Sequence, residues 1–189
     1  ELDRIADEVT KEIIQEQAEY IVNYFNAFED ALESEDFAGP ELGYAAFIDV
    51  PSFIDDHLIN ELSHNNDGLR LSTFLHKPRG EKLIHGPLWD FDKSYTWGGP
   101  NGDDISQSAE TWYGGRFSLY WSRLFQDLDF QQRYIDRWQE LRKDAFTNQH
   151  FATILDGMVN ELAEAQVRNV QRWPEAAPNG GFAAEISRI

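Results

Sequence analysis

Four oxygen-bearing side chains in the middle of the chain have the types and spacing for chemistry. Asp67 lies in an Asn-Asn-Asp-Gly turn, Ser72 follows five residues later, and Asp90 and Asp92 flank one phenylalanine. Two carboxylates aimed together repel each other, and a hard divalent cation such as Mg²⁺ turns that repulsion into attraction because it prefers oxygen ligands. The non-functional alternative is that Asp67 lies in a turn that favours Asn, Asp and Gly for conformational reasons, and that Asp90 and Asp92 are solvated acids at the end of a strand.

A predicted β-hairpin brings these residues together. Alternating apolar residues predict a strand over 69–75, Pro78-Arg79-Gly80 predicts a turn, and 82–91 predicts the returning strand. A reversal centred on this turn returns residues 88–92 to the side of residues 69–73. The two segments that hold the oxygen-bearing residues are therefore expected to lie side by side.

The returning strand also sets the expected direction of its side chains. Successive side chains of an extended strand point to opposite faces. Asp90 and Asp92 are therefore expected to share one face, while Trp89 and Phe91 point the other way into apolar surroundings. Together with the reversal, this arrangement predicts a cluster of Asp67, Ser72, Asp90 and Asp92.

Apolar periodicity predicts helices on both sides of the hairpin. A stripe at steps of three and four predicts a helix over about 8–34, formed by Ile14, Ala18, Ile21, Phe25, Phe28 and Leu32. Asp49 ahead of Pro51 predicts the start of a helix over 51–63, because Asp caps and Pro suits a first turn. Later helices are predicted near 117–126, 128–145 and 148–172, before a loose tail at 174–189. The fold class is α+β, mostly α-helical, in one domain of 1–189.

Charge excludes several partners. The formal net charge is −18, and 14 acidic against 2 basic residues in 1–50 place −12 of it there. Nucleic acid and anionic membrane surfaces would be repelled. No apolar run is long enough to span a membrane, and no targeting signal is visible. The absence of cysteine excludes thiol nucleophiles, disulfides and thiolate metal sites.

The order of these motifs is that of a protein-kinase catalytic region. In kinases a catalytic Asp is followed five residues later by a metal-binding Asn, then by a short hairpin and an Asp-Phe-Gly triplet. Here Ser72 stands in place of the Asn and Asp92 in place of the Gly. Both differences depart from ordinary kinases.

Residues 48–92 closely resemble the spore coat protein H (CotH) kinase family. The motifs that carry the resemblance are Ile48-Asp49-Val50-Pro51-Ser52-Phe53-Ile54-Asp55, Asn60-Glu61-Leu62, Asn66-Asp67-Gly68-Leu69-Arg70-Leu71-Ser72-Thr73 and Gly86-Pro87-Leu88-Trp89-Asp90-Phe91-Asp92. Further matches follow at 137–142, 164–166 and 172–174. The resemblance implies an atypical kinase fold that transfers the γ-phosphoryl group of ATP to Ser or Thr of a protein, in a secreted, cell-surface or spore-coat setting.

The resemblance also implies roles for single residues. Asp67 matches the catalytic Asp, and Asp90 matches the Asp that binds Mg²⁺ or Mn²⁺. Ser72 is carried over as a further residue of the metal site, and Asp92 is carried over only as a neighbour of Asp90. A kinase also needs a strand-borne Lys and a loop over the ATP phosphates, but Lys11 is the only lysine before Asp67. The chain is therefore expected to be the C-terminal lobe of a CotH-type kinase, to require an N-terminal lobe of the same protein, and to be inactive alone.

Two other function classes stay open from the residues. One is a non-catalytic, pseudokinase-like surface-binding module, and the other is a glycoside hydrolase that uses Asp67 and Asp90 as a carboxylate pair. A metal requirement separates a phosphotransferase from a glycosidase. His76 and His85 are a weaker candidate, because two histidines facing each other across the hairpin could contact a transition metal. The glycine-rich loop at 94–115 is predicted to be mobile or functional, and its Trp97 and Trp112 either stack a substrate or belong to the core.

Overall fold

The computed structural model describes residues 2–65, 68, 69, 71–92, 94, 120–177 and 180–187. The helices are α1 (Leu2–Glu33), α2 (Val50–Ser63), α3 (Trp121–Leu124), α4 (Leu128–Leu141), α5 (Asn148–Arg172) and α6 (Phe182–Ile186). The strands are β1 (Leu75–His76) and β2 (Ile84–His85), and 3-10 turns lie at Tyr44–Ala46 and Pro174–Ala176. The predicted mostly helical α+β class is confirmed.

Helix α2 begins as its sequence signal predicts. The Asp49 side chain accepts a hydrogen bond from the backbone N–H of Ser52 at 2.9 Å, and Pro51 lies in the first turn. Because the first turn of a helix leaves backbone donors without intrahelical partners, this cap satisfies one of them. The helix ends at Ser63, and the next residue, His64, adopts a left-handed conformation with φ of 50°.

The core forms where α2 meets α1, α3 and α4. Phe53 of α2 lies at its centre, with ring contacts to Phe28 of α1 and to Trp121 of α3. All three side chains are fully buried. The remaining buried apolar side chains of this core are Leu32, Tyr44, Ile48, Val50, Ile54, Leu58, Leu69, Leu83, Leu124, Phe130, Tyr134 and Phe146.

The predicted apolar stripe of α1 is buried only at its C-terminal end. Phe28 and Leu32 lie in the core and Phe25 packs against it. Ile14 is 59% exposed and Ile21 is 37% exposed. The helical period was therefore predicted correctly. Among the described residues, however, other parts of the fold pack only against the last two turns of the apolar stripe. Helix α5 likewise has no buried residue.

The hairpin is shorter than predicted. Among the described residues of the predicted hairpin, the strand pairs are Leu75 with His85 and His76 with Ile84, in antiparallel register. One further backbone hydrogen bond, from Gly86 N–H to the Phe74 carbonyl at 2.8 Å, extends the pairing. Beyond it the chain turns away, because Gly86 has φ of 119° and Pro87 lacks the N–H that a ladder requires.

The base of the hairpin is attached to the start of α2. Leu83 N–H donates to the Phe47 carbonyl at 2.9 Å, and Asp49 N–H donates to the Leu83 carbonyl at 2.8 Å. The His85 N–H donates to Ser52 Oγ at 3.1 Å. These three hydrogen bonds fix β2 against α2, so the segment that follows β2 leaves the helix at a defined place.

Candidate active site

The hairpin brings Ser72 to Asp90. The Ser72 hydroxyl donates a hydrogen bond to Oδ2 of Asp90 at 3.2 Å. The pairing of Leu75 with His85 centres the reversal on Gly80, which is the centre that the sequence predicts. Ser72 is half-buried and Asp90 is exposed, so a ligand can reach the carboxylate from solvent.

The backbone at Asp90 differs from the expected extended strand. Asp90 has φ of 62°, a left-handed conformation that is uncommon outside glycine and more frequent for Asp and Asn. The predicted alternation of faces over residues 89–92 is therefore wrong. Trp89 is 60% exposed instead of packed in apolar surroundings, and its ring meets that of Phe74 edge-on with centroids 6.1 Å apart.

The structure describes the two sides of the loop that carries Asp67, while Asp67 itself lies outside the described residues. On one side Asn65 is fully buried, and on the other side Gly68 is buried. Gly68 N–H donates to the Asn65 carbonyl at 3.2 Å, and the Thr73 hydroxyl donates to the Gly68 carbonyl at 2.9 Å. The loop ends are thereby held beside the segment that bears Ser72.

Buried polar side chains of α2 anchor this loop. Asn60 donates from Nδ2 to Oδ2 of Asp56 at 3.0 Å and to the Asp56 carbonyl at 2.9 Å. Its Oδ1 accepts from Nδ2 of Asn65 at 3.0 Å. Since an unsatisfied buried polar group is costly, each of these amides needs its partner in place.

The same group of side chains reaches β2. Nδ1 of His85 lies 3.0 Å from Oδ2 of Asp56, with both side chains at least 93% buried. The ring of His85 also packs edge-on against Phe53 at 4.9 Å between centroids. Asp56 therefore stands between the loop at the end of α2 and the strand that leads to Asp90.

The two hairpin histidines do not face each other. His85 is buried beside Asp56, whereas His76 is exposed and one of its ring nitrogens lies 3.2 Å from the Gly86 carbonyl. Consecutive positions along paired strands point to opposite faces, and the register places His76 opposite Ile84. The proposed two-histidine metal contact is therefore wrong.

The oxygen donors of Asp90 and Ser72 suit a hard cation more than a transition metal. Asp92 is exposed two residues further on. Within the described ranges, no group of three His, Asp or Glu side chains is close enough to hold an ion alone. Mg²⁺ commonly uses one or two carboxylates together with substrate phosphates and water, so this donor set fits such an ion when phosphates accompany it.

A cavity of about 610 Å³ opens between α1 and the segment that contains Ser72. Leu71 and Thr73, which flank Ser72 in sequence, line one side, and Glu29 and Glu33 of α1 line another. The rest of the lining is largely apolar, with Phe25, Leu32, Leu75, Tyr120 and Arg123. The glycine-rich loop predicted at 94–115 lies outside the described residues except for Ser94, so no role is assigned to it here.

Sequence reasoning assigned no supporting role to Asp56, Asn60, Asn65 or His85. The available signal was the spacing of Asp56 and Asn60 by four residues on the same buried side of α2 as Phe53 and Leu58. Polar residues on a core face must find partners there. Their partners come from a loop and a strand, so only the folded chain identifies them.

The chain matches a family model described as CotH kinase protein over residues 3–189. No curated protein and no solved structure shows a significant match. In the described part of the chain, no helix is both long enough and apolar enough to cross a membrane.

Proposed function

The chain belongs to the CotH kinase family, and on that premise we propose that it transfers the γ-phosphoryl group of ATP to Ser or Thr hydroxyls of a protein. The observation that carries the proposal is the contact between Ser72 and Asp90 at 3.2 Å. It joins two motifs in the order that phosphoryl transfer uses, beside the anchored ends of the loop that contains Asp67.

Each residue has a defined role in this proposal. Asp67 accepts the proton of the attacking hydroxyl, and Asp90 and Ser72 supply oxygen ligands to Mg²⁺ or Mn²⁺, with Asp92 beside them. When bound, the cation offsets the negative charge of the ATP phosphates. The Ser72 hydroxyl also donates to Asp90 and thereby orients its carboxylate.

We further propose that residues 1–189 form a C-terminal lobe and use an N-terminal lobe of the same protein. A kinase places a Lys on the ATP phosphates from a strand, whereas Lys11 lies exposed on α1. The exposed N-terminal half of the apolar stripe on α1 is consistent with contact to another lobe. A secreted, cell-surface or spore-coat setting, taken from the family resemblance, belongs to the same proposal.

Phosphate transfer from γ-labelled ATP tests the function. We expect the full-length protein with Mn²⁺ or Mg²⁺ to produce phosphoserine or phosphothreonine, and EDTA to abolish the labelling. A chain of residues 1–189 alone is expected to give no turnover, and turnover by it would refute the two-lobe proposal. Sugar release that resists EDTA would favour a glycosidase. Protein binding with neither ATP affinity nor transfer would favour a non-catalytic binding module.

A further inference from the structure

The polar side chains at the end of α2 connect the two segments that the proposed reaction uses. Asn60 holds Asn65, which directly precedes the loop with Asp67, and Asp56 holds both Asn60 and His85 of β2. All four side chains are at least 93% buried. The contacts of Asn60 with Asp56, of Asn60 with Asn65 and of His85 with Asp56 are each 3.0 Å long, and the low dielectric of the interior strengthens such buried polar contacts.

The contact between Asn60 and Gly68 leaves no space for adjustment. A Cβ added at Gly68 would lie 1.8 Å from Oδ1 of Asn60 and 2.6 Å from Nδ2 of Asn65. Real Cβ atoms do not approach other atoms this closely, so either the loop or the two amides would have to move. The backbone of Gly68 therefore lies directly against the amide pair, and the position of one sets the position of the other.

We propose that Asp56 and Asn60 are positioning residues that fix Asn65 and Gly68, which flank Asp67 in the sequence, relative to the strand leading to Asp90. This inference rests on the proposed phosphotransfer for its effect on rate, but the physical coupling of the two segments can be measured without it. Neither residue is expected to touch substrate. Their effect acts through Asn65 and Gly68 on one side and through His85 on the other.

The coupling predicts how substitutions alter the reaction. Asn60→Ala removes the acceptor for Asn65 and the donor to Asp56, so the loop loses its anchor while the outer surface of the site is unchanged. We expect kcat to fall about 10- to 100-fold, as is typical when a supporting hydrogen bond is lost, with KM for ATP within about threefold of wild type. Gly68→Ala is expected to lower kcat similarly by displacing the loop from the other side.

The double variant tests whether the two positions act on each other. In the Asn60→Ala background the Oδ1 atom that a Cβ at residue 68 would meet is absent. Adding Gly68→Ala there should therefore reduce kcat by a smaller factor than it does in wild type. Equal factors in both backgrounds would overturn the coupling between Asn60 and Gly68.

Backbone hydrogen exchange supplies a readout that is independent of activity. In Asn60→Ala we expect faster exchange in the peptides that cover residues 64–74 and 84–92. Tyr44→Phe is the control, because it removes a hydrogen bond to Asp127 at a different place in the fold and should leave both peptides unchanged. Thermal unfolding confirms that each variant is folded, and Gly68→Ala replaces Asn60→Ala if the latter is not.

The outcomes separate the two proposals. Unchanged exchange in both peptides, or kcat within threefold of wild type in both single variants of an active protein, overturns the positioning role. If the wild-type protein transfers no phosphate, the proposed function fails, and the exchange data alone then support or overturn the coupling.

Discussion

The hydrogen bond between Ser72 and Asp90 joins residues that are 18 positions apart. Its existence was predictable, because Pro78-Arg79-Gly80 fixes the centre of the reversal and the centre fixes which residues meet. The backbone at Asp90 was not predictable from the alternating pattern, since its left-handed conformation lies in a segment that has left the strand after Gly86. The hydrogen bonds of Asn60 with Asp56 and Asn65 were also not predicted, although these partners lie only four and five residues away, because their burial depends on what packs against the end of α2.

Tyr120 is a residue whose environment predicts a pH effect. Its hydroxyl is buried, and within the described ranges it has no hydrogen-bond partner. Burial raises the pKa of this hydroxyl, and the carboxylate of Asp56 raises it further. The folded state therefore favours neutral tyrosine. The contribution of this shift to the stability of the folded state is fully present below about pH 10, the ordinary pKa of tyrosine. That contribution decreases as the pH rises above about 10.

Tyr120→Phe is expected to increase the free energy of unfolding by about 1 kcal/mol at pH 7, because it removes a buried hydroxyl without a partner. It should also make the loss of stability above about pH 10 shallower. Urea unfolding between pH 7 and 11 measures both effects. Tyr20→Phe is the control, since the side chain of Tyr20 is 52% exposed. A destabilisation of more than 1 kcal/mol at pH 7 would mean that the Tyr120 hydroxyl has a partner.

At the scale of elements, local signals predicted helices better than strands. The cap at Asp49 and the proline in the first turn of α2 are local signals, and both matched the structure. The hairpin was predicted over 69–91 but pairs only at 75–76 with 84–85. Strand length depends on where the partner strand turns away, and here that is decided by Gly86 and Pro87. Alternation of apolar residues over 69–75 therefore overestimated the paired length.

Helices α2 and α4 are joined by an ion pair that allows an element-scale prediction. The guanidinium of Arg137 contacts the carboxylate of Asp55 at two points, Nε to Oδ1 at 2.7 Å and Nη2 to Oδ2 at 3.0 Å. Both side chains are more than a third exposed, so water screens the pair. A double-mutant cycle with Arg137→Gln and Asp55→Asn is expected to give a coupling free energy of about 0.5–1 kcal/mol.

The pair of Arg168 and Glu164 on α5 is the matched comparison. Its closest atoms are 3.3 Å apart and both side chains are more than two thirds exposed. We expect its coupling free energy to be below about 0.5 kcal/mol in the same cycle. A larger coupling for the α5 pair than for the pair between α2 and α4 would contradict this ranking.

At the scale of the whole molecule, charge and apolar surface are unevenly distributed. The first 50 residues hold −12 of the net charge of −18. The same region contains exposed Ile13, Ile14, Tyr20 and Val22 on α1. Periodicity alone predicted an amphipathic helix here but could not tell which turns are covered, because coverage depends on what packs against the helix. The family model matches residues 3–189, so the family resemblance read from motifs at 48–92 and at three later places extends over nearly the whole chain.

Phosphate transfer by Asp90→Asn tests the central claim most directly. Glu81→Gln is the matched control, since Glu81 is an exposed acid beside the hairpin turn and loses the same charge. With γ-labelled ATP and Mn²⁺, we predict that the full-length wild-type and Glu81→Gln proteins label a Ser or Thr acceptor equally. We predict that Asp90→Asn is slower by about 100-fold or more, as expected for loss of a metal-binding carboxylate. Labelling by Asp90→Asn within threefold of wild type would contradict the role assigned to Asp90 and the site built around it.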